Sequence, residues 1–176
     1  MMPIGPLMKE HRLIERMVAL MERELRRLND GEEFDPGFVD VAVDFVRTYA
    51  DRCHHGKEED ILFRELAKKR LSDEHRKTMD ELMEEHVYGR AITGQLSSAK
   101  ERYVLGDAQA LATVVASLQD LVGFYPAHIE KEDKRFFVPC MEYFSRQEQE
   151  EMVQDFWEFD RRLIHEKYAA TVERLE

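Results

Sequence analysis

The chain has 176 residues, enough for one domain with a sizeable core; 43% are hydrophobic and 36% charged. With only 8 Gly and 5 Pro, that mixture favours amphipathic helices and disfavours sheets or disorder. A formal net charge of −11 argues against phosphate-backbone binding, which needs clustered Lys and Arg, so no nucleic-acid partner is expected.

Apolar residues recur at helical spacing from the start. A first helix is predicted from about Pro6 to Leu28, with Leu7, Ile14, Met17, Val18, Met21 and Leu25 along one stripe. Asn29-Asp30-Gly31 stops it. Asp35-Pro36 reads as an N-cap followed by proline at the first helical position, opening a second helix to about Arg70. Ser72-Asp73 is a tight turn and cap; a third helix follows to about Leu105. Gly106-Asp107 separates it from a fourth, ending near Tyr143, in which Pro126 is expected to produce a kink or an irregular turn. Ser145 and Glu148 have capping-box spacing and begin a fifth helix, about 146–175. The expected architecture is all-α: an antiparallel up-down four-helix bundle over about residues 6–143, plus a C-terminal helix, forming a single domain. No apolar run at the N-terminus resembles a signal peptide and no segment approaches a membrane span, so a cytoplasmic protein with no membrane partner is expected. Cys53 and Cys140 form no CxxC pair and read as reduced thiols.

The chemistry lies in a repeat. Residues 54–63, HHGKEEDILF, and 128–137, HIEKEDKRFF, both read H-x-x-K-E-[ED]-x-x-x-F. Residues four apart share a helix face, so His54 with Glu58, and His128 with Glu132, point inward together. A lone histidine precedes each repeat at similar distance: His11 lies 43 residues before His54, and His86 lies 42 before His128. Measured from the turns, all four helices bring these residues to one depth, within about one helical turn at ~1.5 Å per residue. Carboxylates and imidazoles buried at one level without a metal would be costly.

Four imidazoles and two carboxylates are too many ligands for one tetrahedral zinc and too nitrogen-rich for calcium or magnesium. They suit two ions, with Glu58 and Glu132 bridging and His11, His54, His86 and His128 at the ends. Iron is the natural candidate, with manganese or zinc as substitutes. No histidine has a Glu three residues before it, which disfavours the ferritin-like arrangement.

On Glu10-His11, HHGKEEDILF, Glu85-His86 and HIEKEDKRFF the chain resembles the hemerythrin-like (HHE cation-binding) family. The resemblance implies an antiparallel bundle around a non-haem di-iron centre, bridged by two carboxylates and an oxo or hydroxo group, with the same six residues as ligands. Two departures from the oxygen carriers stand out. Their third helix carries an HxxxH pair, whereas Leu82 and Arg90 flank His86 here; their last motif is HxxxxD, here HxxxE.

Glu15 reads as a surface carboxylate, Glu59 and Asp133 as outer or solvated groups, His55 as facing away from His54, and His75 as surface. Tyr125 and Tyr49 read as neighbours of the centre or ordinary core aromatics, and His165, on the fifth helix and close to site level, as an additional ligand or a donor to the ligands. The leading expectation is a protein that binds or senses O2 or a related small molecule, NO or peroxide. A di-iron peroxidase or oxidase, an iron donor in iron–sulfur repair, and a structural metalloprotein are the alternatives. Oligomeric state is left open.

Overall fold

A computed structural model describes the backbone of residues 2–175 and the side chains as far as Leu163. All regular structure among these residues is helical. Helix α1 is Ile4–Asn29; α2 is a continuous rod over 36–67; α3 is Asp73–Val104; α4 is Ala110–Tyr143; α5 is Arg146–Leu175. The helix ends follow from local chemistry. Asp35 accepts from the Gly37 N–H at 2.9 Å with Pro36 in the first turn, and Ser72 accepts from the His75 N–H at 3.1 Å. In the reciprocal box, the Glu148 N–H donates to Ser145 Oγ at 3.2 Å, and the Ser145 N–H to Glu148 Oε2 at 2.8 Å.

Helices α1 and α3 end in the same way. Gly31, at φ +83°, lets its N–H reach the Leu28 carbonyl while the Glu32 N–H reaches Arg27. Gly106, at φ +102°, does the same toward Tyr103, with Asp107 reaching Arg102. This Schellman closure requires a left-handed residue, which glycine adopts without a steric penalty.

Two expectations are corrected. Pro126 does not break α4: the helix runs α-helical through it to Lys131, and the irregularity comes later, at Glu132–Phe136. That segment, with Val46–His55 and Glu58–Phe63 in α2, has the wide i→i+5 hydrogen bonding of a π-helix, where regular α-helix was expected. The wide turns fall where the two repeats lie. Although no membrane span was expected, Ala110–Tyr143 is long and apolar enough by composition to cross one. It packs against α1 and α3 and carries His128 and Glu132 into the bundle.

The bundle core has two apolar layers. One contains Ile14, Val18, Met21, Val43, Leu96, Val114 and Leu118. The other contains Leu7, Leu62, Leu66, Leu82, Phe136 and Phe137, and here α5 adds Met152 and Phe156. Between them lies a slab of buried polar residues, His11, His54, Glu58, His86, His128 and Glu132, none more than 2% exposed.

Helix α5 lies close against α2 because residue 56 has no side chain: a Cβ there would stand 2.7 Å from Phe159 Cζ. Gly56→Ala should therefore destabilise the protein by about 1–3 kcal/mol through overpacking. Phe159→Ala in the same chain should remove most of that cost. Urea midpoints of the single and double variants measure this.

Candidate metal centre

Helix α1 supplies His11, the π-helical part of α2 His54 and Glu58, α3 His86, and α4 His128 and Glu132. All six expected ligands come together. Glu58 Oε1 lies 3.2 Å from His54 Nε2, and its Oε2 lies 3.4 Å from His86 Nε2. Glu132 Oε2 lies 3.1 Å from His11 Nε2, and its Oε1 lies 3.3 Å from His128 Nε2 and 3.7 Å from His86 Nε2. Each carboxylate thus turns one oxygen toward the His11/His54 side and the other toward the His86/His128 side. Two donors bound at right angles to one ion at ~2.1 Å are about 3 Å apart, which is close to these separations.

The donor atoms themselves test whether metal fits. The Nε2 atoms of all four histidines and both oxygens of Glu58 and Glu132 are buried without a hydrogen-bond partner. So many uncompensated polar atoms in a core would be very costly, whereas each becomes a ligand if cations lie among them. Two clusters of donors within 4.8 Å of one another are present: His11, His54, Glu58 and Glu132, and beside it His55, His86 and His128.

The second cluster corrects the sequence reading of His55. It does not face away: it is buried, and its ring stacks on His86 with centroids 3.9 Å apart. In a regular α-helix neighbours diverge by about 100°. The wide turns through Val46–His55 reduce that divergence, so both His54 and His55 reach the interior. A signal was available: the matching residue of the second repeat is Ile129, an apolar residue that is also buried.

Outside the donors runs a ring of carboxylates. His54 Nδ1 donates to Glu10 of α1 at 2.9 Å, and His86 Nδ1 to Glu59 of α2 at 2.7 Å. His128 Nδ1 donates to Glu85 of α3 at 2.8 Å, and His11 Nδ1 to Asp133 of α4 at 2.7 Å. Each helix thereby clasps the imidazole of the next, and α4 closes the circuit on α1. Placing the proton on Nδ1 leaves the Nε2 lone pair facing inward, as metal binding needs. Each carboxylate is held in turn by a cation: Glu10 by Lys57, Glu59 by Arg90, Glu85 by Lys131 and Asp133 by Arg12. Burial opposes ionisation of Glu10, Glu59 and Glu85, yet their histidine and Lys or Arg partners keep all three below the usual carboxylate range.

The remaining candidates fall into place. Glu15 pairs with Arg12 at 3.0 Å on the outside of α1. His75 is half-buried and bonds the Tyr143 hydroxyl at 2.9 Å. Tyr49 stacks on Phe45, and Tyr125 is buried beside a cavity that reaches His55. The side chain of His165 lies outside the described residues. Lys57, fully buried, donates to both Glu10 and Asp160, and the Cys53 thiol donates to the same Asp160, tying α5 to the outer ring.

A family model described as "Hemerythrin HHE cation binding domain" matches residues 2–168. Uncharacterized proteins of Mycobacterium bovis and of two strains of Mycobacterium tuberculosis are 22% identical over 161 residues, 91% of this chain. The chain spans 62% of the length of these relatives. No solved structure matches.

Two outcomes follow from the ring. Asp133→Asn or Glu10→Gln should lower metal affinity about 10–100-fold, read by competition with a chromophoric chelator. In protein stripped of metal, burial opposes charge on His11 and His86, but the carboxylates beside them, Asp133 and Glu132 for His11 and Glu132 and Glu59 for His86, raise them to about 10 and about 9. A histidine raised above its unfolded value of about 6.5 stabilises fully below that pH and loses its contribution as pH rises through the folded value. Urea midpoints of the stripped protein should therefore fall between about pH 6.5 and 10, and metal-loaded protein should not show this fall.

Proposed function

Since the chain belongs to the hemerythrin HHE cation-binding family, we propose that it holds a pair of iron ions and binds or senses O2 or a related small molecule, NO or peroxide, at that centre. The observation that carries this reading is the pair of bridging carboxylates, each with one unpartnered oxygen toward either donor cluster. The ligands in this reading are His11, His54, Glu58, His86, His128 and Glu132, with His55 as a seventh. Manganese or zinc are the substitutes this donor set also accepts.

The iron pair supplies reversible redox change and an affinity for small oxygen- or nitrogen-centred ligands. The protein's own residues supply the rest. Glu58 and Glu132 hold both clusters at one spacing, and the carboxylates bonded to Nδ1 keep each imidazole in one tautomer. The apolar layers on either side exclude bulk water, which strengthens every charge interaction between them. Cys53 and Cys140 are free thiols, in keeping with a reducing cytoplasmic compartment.

Anaerobic loading with ferrous ion, metal counting per chain, and an optical spectrum on admitting O2 test the proposal. Two irons per chain and new near-ultraviolet and visible bands are expected, and Glu58→Ala or Glu132→Ala should abolish both. A colourless protein that retains one zinc through iron reconstitution would overturn it.

A further inference from the structure

His55 differs from the other four imidazoles. His11, His54, His86 and His128 are each anchored through Nδ1 to a carboxylate at 2.7–2.9 Å. Nδ1 of His55 has no hydrogen bond. The carboxylate facing it, Asp51 Oδ1, stands 3.6 Å away and already accepts from Arg90 Nε at 2.6 Å. Ligating histidines are fixed in orientation by such outer bonds, so an imidazole without one is held chiefly by its neighbours and by the metal. The neighbour here is His86, on which His55 lies nearly parallel, at 12°.

Beside His55 there is space. A cavity of about 240 Å³ runs between α2 and α3 to α4, with Arg90 and Asp51 at the mouth and Val46, Thr93, Tyr125 and His55 on the inner wall. At roughly 30 Å³ per water it is many times larger than a diatomic molecule needs. It has room for an incoming small molecule together with a displaced imidazole ring.

We propose that His55 is a displaceable ligand, yielding its place at the His55/His86/His128 end to a small molecule with an oxygen or nitrogen lone pair that enters through this cavity. The exchange is a ligand substitution: the bond from a His55 nitrogen breaks, the incoming lone pair replaces it, and no electron or proton changes owner. It rests on the metal reading above. It adds an entry route, on the side with three histidines, and a residue that controls it.

Azide, a lone-pair donor with strong charge-transfer bands, is the probe, used with the full iron-loaded chain. His55→Ala should still take up paired metal, with lower affinity than the wild type, and bind azide about tenfold faster, and added imidazole should restore the slower rate. Val46→Phe, or Thr93→Leu should the larger side chain impair folding, should slow azide about tenfold at unchanged metal content. His54→Ala serves as the contrast and should lose metal. If His55→Ala loses metal as His54→Ala does, or if neither cavity-filling variant changes the azide rate, the inference is overturned. A wild-type chain that takes up no paired metal would instead overturn the reading of the preceding subsection.

Discussion

The arrangement depends on two carboxylates, Glu58 and Glu132, placed where no protein group answers them. Both are fully buried, and every one of their oxygens lacks a hydrogen-bond partner. Breaking a buried charge pair typically costs 3–5 kcal/mol, so oxygens left so by design imply cations among them. The imidazoles around them hold Glu132 well below the ordinary carboxylate range against the effect of burial, and so keep it ionised. The apolar layers above and below can then pack with conventional aliphatic and aromatic side chains, because the unpartnered oxygens of Glu58 and Glu132 are confined to one level.

Confinement needs rigidity, and the rigidity comes from between helices. Each imidazole is oriented by a carboxylate from the preceding helix, and each carboxylate by a Lys or Arg. The ring uses both halves of the repeat. The Glu before each lone histidine serves the H-x-x-x-E helix that follows, and the acid after each bridging Glu serves a lone histidine. No residue in this ring is isolated in sequence from a ligand by more than four positions.

Much of this was legible in the chain. The two H-x-x-K-E-[ED] segments and the equal depths of His11 and His86 identify the six central donors, because i,i+4 spacing and turn positions are properties of helices themselves. His55 was not legible from spacing, since neighbours on a regular helix diverge by about 100° and the i→i+5 segment narrows that angle. Such widening reflects the packing of whole helices and has no local composition signal. Asp133 and Glu59 were placed in the right neighbourhood, but their targets lie on other helices, and no rule of spacing names a partner 122 or 27 residues distant. At Pro126 the helix stays α-helical, and the irregular turn lies further on, at Glu132–Phe136.

The circuit of clasps has a consequence for symmetry. Helices α1 and α2 carry the same set of parts as α3 and α4: an acid before a lone histidine, then a histidine, a bridging Glu and a further acid. Within either hairpin the first acid meets the second helix, but the last acid must reach across to the other hairpin. Two identical hairpins, facing each other about a two-fold axis, would close the same circuit and enclose the same pair of positions. The protein has the logic of a self-complementary dimer written into one polypeptide, and the unlike pair, Ile129 at the position that matches His55, makes its two halves unequal.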